Sequence, residues 1–241
     1  MTNMILHLTL ESDAAFGRGD GVAGLVDAEV QHDKYGFPYI GGRTLKGLLA
    51  EECANLLYAL TSMERDKQWK EKWIQAADAL FGTPGSGIKD FARLRVGPAQ
   101  LPAALRMAAK NEYVDKTADE MRAAMLPALT DLRRQTAVDP ETGAPQQETL
   151  RTVRVVLRRT TFSASLAIAP DKNGSEADDQ RLLGLLAAAV LALRRGGSER
   201  NRGRGELTAR LFKDEEDVTM RYFENHFVAT LDAAGFGQEV S

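Results

Sequence analysis

Gly196-Gly197-Ser198-Glu199-Arg200-Asn201-Arg202-Gly203-Arg204-Gly205 lies between two segments of opposite character. Upstream, Asp178–Arg195 carries Leu182, Leu183, Leu185, Leu186, Val190 and Leu193 and reads as a strongly apolar helix. Downstream, Glu206–Phe212 reads as a strand. A turn from helix to strand needs one or two glycines. Four of them, with three arginines at alternate positions, predict a loop that approaches an anion closely. Its successive N–H groups can form a nest, and its guanidiniums can add bidentate phosphate contacts.

Working outward, Phe162, Ala164, Leu166 and Ile168 alternate as a strand. Before it, Arg133–Arg159 is polar and turn-bearing at Asp139-Pro140-Glu141-Thr142-Gly143, then extended through Val153, Val155 and Val156. It has too little apolar content to pack on its own core, so it is expected to project as a hairpin. At the other end, Met4, Leu6, Leu8 and Leu10 alternate with Ile5, His7 and Thr9, a first strand. Ala14–Gly24 is a loop with glycines at 17, 19, 21 and 24, and Val26–Val30 is short and extended. A turn at Lys34–Pro38 precedes Gly41-Gly42 and Thr44. Thr44 is expected to cap a helix running to about Leu60, with Leu45, Leu48, Leu49, Ala54, Leu56 and Leu57 on its apolar face. A helix over Lys67–Leu80, a strand over Ala92–Gln100, broken helix over Pro102–Thr130 and a helical tail in Asp214–Gly237 complete the pattern. The order is strand, helix, strand, hairpin insertion, strand, helix, strand. That implies an α+β fold with a ferredoxin-like (RRM-like) core. The expected organisation is a single domain, 1–241, with the core over about 1–132 and 160–213. The insertion spans about 133–159 and the tail 214–241.

Composition bounds the function. At 44% hydrophobic and 27% charged, the 241 residues are ordinary globular chain, not disordered, collagenous or coiled coil. No apolar run reaches the ~20 residues of a membrane span, and no signal-peptide pattern opens the chain. A single cysteine, Cys53, excludes an internal disulfide and a multi-cysteine zinc site. A cytoplasmic protein with no membrane partner is expected. The net charge of −3 hides an asymmetry. Arg194–Arg210 holds six arginines against two glutamates, and Arg151–Arg159 holds four arginines and no acid. A local anionic ligand on an otherwise acidic body is implied. No Gly-x-x-x-x-Gly-Lys-Ser/Thr loop is present, which argues against a nucleotide-binding enzyme.

Four segments, in order, resemble the RAMP superfamily of CRISPR effector proteins, and most of all the backbone subunit of type III effector complexes. The first is Gly24-Leu25-Val26-Asp27, then Val30 and Gly36-Phe37-Pro38-Tyr39-Ile40-Gly41-Gly42-Arg43-Thr44-Leu45-Lys46-Gly47. Here Gly41 and Arg43-Thr44 stand where the family often has Pro and Ser-Ser. The second is Leu80-Phe81-Gly82 with a strand from Arg93. The third is Val138-Asp139, Thr142-Gly143, Arg151 and Phe162, and the fourth is the Gly196–Gly205 loop. The resemblance implies that the hairpin is thumb-like. It implies guide crRNA and complementary target RNA as ligands, with further copies of the chain and other CRISPR effector subunits as partners. Asp27 falls where nuclease-active relatives carry the residue that cuts target RNA. The resemblance therefore implies a metal-dependent endoribonuclease. Asp27 would hold a divalent cation such as Mg2+, none tightly bound, or orient the attacking 2′-hydroxyl.

The residues expected to contact RNA are Arg18, Arg43, Thr44, Lys46, Arg151, Arg154, Gly196, Gly197, Arg200, Asn201, Arg202, Gly203 and Arg204. Arg43 and Lys46 share one face of a helix N-terminus, where cations oppose the dipole unless an anion is bound. Asp13, Asp20, Glu29 and Asp33 lie near Asp27, and an Asp there can equally cap its own turn. Two other readings stay open: a non-catalytic crRNA scaffold, and a stand-alone ferredoxin-like RNA-binding or RNA-processing protein. His7, His32 and His226 have no metal-ligand spacing and are read as structural. Trp69 and Trp73 are read as a packed helix face, and Phe16 fits either core or ligand.

Overall fold

The computed structural model describes residues 1–17, 19, 21, 26–62, 67–83, 91–137, 139, 141–144, 146, 149–171 and 174–233. Strand β1 (Thr2–Leu10) alternates as its sequence dictates, with Met4, Leu6, Leu8 and Leu10 inward. β2 (Tyr39–Ile40) leads into α1 (Gly42–Ser62), and α2 (Lys67–Phe81) follows. The strand expected over Ala92–Gln100 is two short ones, β3 (Leu94–Val96) and β4 (Ala99–Gln100). The break falls at Gly97-Pro98, where proline has no N–H for a ladder. Then come α3 (Ala103–Glu112), α4 (Ala118–Leu129), β5 (Thr130–Gln135), β6 (Arg151–Val156), β7 (Thr161–Ile168), α5 (Glu176–Ala192), β8 (Leu207–Lys213) and β9 (Glu216–Asp217). Helical residues 219–233, with a π-helical stretch over Phe223–Val228, end the described chain.

The main sheet is antiparallel in the order β2-β4-β7-β1-β8-β9, with β3 also pairing on β7. Its register sets Leu6 between Ala164 and Leu211, and Leu8 between Phe162 and Ala209. All six are buried, so one face carries the core while Ile5 and His7 lie on the other. Each fully buried leucine or phenylalanine there contributes about 1.5–3 kcal/mol. The core face is covered by α1, α2 and α5. α5 is nearly all apolar, with Leu182, Leu185, Leu186 and Val190 buried, and Ser175 caps it in a reciprocal box with Asp178.

Several expectations need correction. α1 begins at Gly42, two residues before Thr44, so Thr44 lies inside the first turn rather than capping it. The first helical bond, from the Leu45 N–H to the Gly41 carbonyl at 3.0 Å, opens the helix ahead of Thr44, and Gly42 packs so closely there that a Cβ would strike the carbonyl of Val96. Cys53 rather than Ala54 faces the core, and Ala54 is exposed. The hairpin is rooted rather than free. β5 and β6 form a separate two-stranded sheet, and Val153, Val155 and Val156 of β6 are buried, with Val153 and Val155 packing on Ala15 and Ala28. The segment after Asp214 first pairs as β9 and then packs on the core. Phe227 is buried edge-on against Trp73, ring centroids 5.1 Å apart, and Gly184 of α5 leaves room for the backbone of His226 and Phe227. Trp73 is fully buried and Trp69 packs beside it, as a helix face would. Phe16 is also core.

Candidate functional site

Asp27 sits in the extended stretch before β2, and β6 holds that stretch in place. The Asp27 N–H donates to the Thr152 carbonyl at 2.8 Å, and the Thr152 N–H donates to Asp27 Oδ2 at 2.6 Å. One oxygen of an exposed carboxylate is thereby fixed, and Oδ1 has no partner among the described residues. The nearby acids have different work. Asp33 Oδ1 accepts the Tyr35 and Phe37 N–H groups in its own turn. Asp13 accepts from Arg133 Nη2 at 2.7 Å and from the Arg158 N–H at 3.0 Å, tying β5 and the β6–β7 turn to β1. Glu29 is buried against Arg154. Asp20 lies outside the described residues.

Asp27 borders two adjoining clefts. One, of about 480 Å3, is lined by Phe16, Gly17, Gln31, Thr44, Leu48 and Gly197 among others. The second, of about 340 Å3, continues beneath the hairpin past Gln135, Arg151, Arg154 and Glu199. Gly17, Asp27, Ala28, Glu29 and Ser198 belong to both. The N-terminal turn of α1 closes the first cleft with Thr44, while Arg43 and Lys46 lie beyond its lining. Partial burial pulls the Lys46 ammonium below the usual lysine range.

The glycine-rich loop is built differently from the expected nest. Gly196 N–H donates to the Gly205 carbonyl, Ser198 N–H to Ala15, Arg202 N–H to Glu199 and Gly205 N–H to Asp13, at 2.7–2.8 Å. Those amides are therefore occupied by the chain itself. The glycines serve close backbone approach instead: Gly197 has φ +88°, and a Cβ there would lie 2.7 Å from the Ala15 carbonyl oxygen. Gly203 and Asn201 are exposed at the tip.

The arginines divide into two classes. Arg154 is buried, its Nε 2.8 Å from Glu29 Oε1 and its Nη1 3.2 Å from Thr130 Oγ1, so its expected phosphate contact gives way to an internal ion pair. Arg200 forks onto Glu51, which holds that carboxyl below the usual carboxylate range, and Arg204 pairs with Glu199 at 2.6 Å. Arg43, Lys46, Arg151 and Arg202 have no side-chain partner among the described residues. Arg151 and Arg202 line one further pocket at the hairpin base, with Thr136, Gln146 and Thr149. Arg18 lies outside the described residues, as do Gly24, Leu25 and Val138 of the sequence motifs. Glu29, Gly17 and Ser198 are site residues that the sequence reading missed. The glycine density around Gly17 signals that residue, and the cluster of acids around Asp27 signals Glu29.

The model of the RAMP superfamily matches residues 7–208, from β1 to the start of β8. The chain belongs to the RAMP superfamily. No curated protein matches it. Among solved structures, it is similar to a chain in the cryo-EM structure of the Type III-B Cmr-beta bound to cognate target RNA. The TM-score is 0.62 at 13% identity, covering 90% of this chain and 99% of that one. A chain in the apo-state Type III-B Cmr-beta structure gives 0.59 at 12% identity, covering 89% and 99%. These likenesses concern the fold, an α+β arrangement on antiparallel sheets.

In this RAMP chain no three His, Cys, Asp or Glu side chains converge among the described residues. A divalent ion such as Mg2+ keeps several waters and commonly takes one or two carboxylates plus substrate phosphates. Asp27, with one oxygen fixed and one available, fits such a shared ion and does not build a resident cage. No helix among the described residues is long and apolar enough to cross a membrane.

Proposed function

We propose that this RAMP protein is a guide-RNA-binding backbone subunit of a type III CRISPR effector complex, and that Asp27 acts in cleaving RNA paired to the guide. The observation that carries the reading is the place of Asp27. It is an exposed carboxylate between two clefts, set between the α1 N-terminus, the glycine-rich loop and the hairpin base. The kinship to chains of Type III-B complexes, one of them holding cognate target RNA, supports guide and target RNA as ligands, with further copies and other effector subunits as partners. Such a complex would work in the cytoplasm.

The strand order β8-β1-β7-β3, with helices on one face, supports a ferredoxin-like core in a single domain. The part of the hairpin beyond the buried valines, residues 136–150, supports a thumb-like role over RNA. In the proposed reaction a 2′-oxygen of the target attacks the adjacent phosphorus and the bond to the 5′-oxygen breaks. The leaving 5′-oxygen takes a proton from water, and the products are a 2′,3′-cyclic phosphate and a 5′-hydroxyl. Asp27 Oδ1 orients the hydroxyl or accepts its proton, and the Thr152 amide keeps the carboxylate in place. A divalent cation shared with the RNA would neutralise charge developing on the phosphoryl group.

The test is a guide-loaded complex given complementary RNA in magnesium. Asp27→Ala should abolish cutting and keep guide and target binding, and a 2′-deoxy nucleotide at the scissile position should resist. Equal cutting by wild type and Asp27→Ala removes the catalytic assignment. One observation favours a non-catalytic scaffold instead: Asp27 Oδ2 already caps the Thr152 amide, and no metal-binding cluster of acids forms among the described residues. The same assay separates the two.

A further inference from the structure

The buried pair beneath Asp27 is costly to keep. Glu29 is 4% exposed and the Arg154 side chain 11%. An apolar pair of similar volume in such a place is commonly as stable, so retention of two buried charges calls for a reason other than stability. The contacts suggest one. β6 meets the Asp27 stretch at successive positions. Asp27 N–H bonds the Thr152 carbonyl, Arg154 N–H bonds the Ala28 carbonyl at 3.0 Å, and Ala28 lies beside Val153 in a parallel bridge. Glu29 and Arg154 then close the same two segments through their side chains. Arg154 Nε reaches Oε1 at 2.8 Å and Oε2 at 3.1 Å. Each end is anchored again. Glu29 Oε1 accepts the Val30 N–H at 3.0 Å, and Arg154 Nη1 donates to Thr130 Oγ1, which donates to the Leu126 carbonyl of α4.

We infer that Glu29 and Arg154, steadied by Thr130, are positioning residues for Asp27: they lock the register of residues 26–30 on β6, so that the Asp27 carboxylate stays on the Thr152 amide. An apolar pair could fill the space but slides and rotates. A directional ion pair with both ends tied cannot. Neither residue is asked to touch RNA. The inference rests on the catalytic reading of Asp27, which the experiment checks separately.

The guide-loaded complex is prepared as wild type, Asp27→Ala, Glu29→Leu/Arg154→Met, Arg154→Lys and Thr130→Val, and complementary RNA in magnesium is the substrate. The double variant should keep guide binding and KM within about twofold and lose about 10- to 100-fold in kcat, because a displacement of about 1 Å suffices for such a loss. Arg154→Lys, which keeps the charge but not both anchors, should recover part of that loss. Amide hydrogen exchange gives a readout independent of turnover: the Asp27 and Thr152 N–H groups should exchange faster in the double variant, with β1 unchanged. Wild-type kcat and exchange in the double variant, beside an inactive Asp27→Ala, would overturn the inference and leave the catalytic reading standing. If the double variant does not fold, the same two readouts on Thr130→Val and Arg154→Lys decide, and wild-type values in both would overturn it. Cutting by Asp27→Ala at the wild-type rate would instead remove the catalytic reading, and the inference with it.

Discussion

Ion pairing within the chain sets how strongly salt should weaken RNA binding. Of the seven expected basic contacts that the structure describes, Arg43, Lys46, Arg151 and Arg202 are unpaired, while Arg154, Arg200 and Arg204 are held by Glu29, Glu51 and Glu199. Each phosphate neutralised on a single strand contributes about −0.7 to the log–log slope of affinity against salt. Four free cations therefore predict a slope of about −2.8, a loss of about 50-fold in affinity between 50 and 200 mM salt. All seven would give about −4.9, or nearly 10³-fold. Arg200 is the paired residue most easily recruited, since its pair with Glu51 is part-exposed and such pairs contribute about 0–1 kcal/mol. Its recruitment would move the slope to about −3.5. The assay is fluorescence anisotropy with an RNA oligonucleotide short enough for one protomer, titrated across salt. Arg43→Ala and Arg202→Ala should each flatten the slope by about 0.7. Arg154→Ala should leave the slope alone and cost about 3–5 kcal/mol of stability, because it strands Glu29 in the interior. The reasoning fails if Arg154→Ala flattens the slope at full stability, or if Arg43→Ala and Arg202→Ala leave it unchanged.

Other outcomes follow from single contacts. Gly197→Ala places a Cβ 2.7 Å from the Ala15 carbonyl at φ +88°; it should cost about 1–2 kcal/mol from the left-handed backbone and more from the displaced loop, read as a lower midpoint in urea unfolding. Deleting residues 139–147 should leave the urea midpoint near wild type, because the buried valines of the hairpin all lie in β6, and should weaken self-association on guide RNA in analytical ultracentrifugation; unfolding would refute it. Burial pushes the Cys53 thiol up to about 12, so it should resist a thiol reagent at neutral pH and react at once in denaturant.

The fold was legible wherever a period was strong. Met4 to Leu10 and Phe162 to Ile168 alternate so regularly that both strands lie within two residues of their expected bounds. The apolar periodicity put the start of α5 at Asp178, and the Ser175–Asp178 box begins it two residues earlier, at Glu176. What failed was long-range. Nothing near Gly42 reveals that the Val96 carbonyl will crowd it, nor that α1 will start there, two residues ahead of Thr44. The region after Asp214 was expected only as a helical tail outside the core. Yet Phe227 finds Trp73, some 150 residues earlier in the chain, and Gly184 of α5 makes the room.

At the site, residue type was readable and pairing was not. Glycines and arginines alternating in the 196–205 loop announced close backbone approach and positive charge, and both are present. Which backbone would approach which was decided by Ala15 and Asp13, far away in sequence, so the amides of Gly196, Ser198, Arg202 and Gly205 bind the chain. The acids followed the same rule. Five clustered before β2, and partners and exposure distinguish those described: Asp33 turns its own loop, Asp13 fastens Arg133, Glu29 meets Arg154 across 125 residues, and Asp27 is the exposed one, with Oδ2 on the Thr152 amide. Local sequence placed the charges; pairing with β6 buried Glu29 against Arg154 and left Asp27 as the exposed acid beside the clefts. Changing the register of that pairing without changing Asp27 is therefore the more demanding perturbation, because Asp27 and the net charge of the site stay the same while its geometry does not.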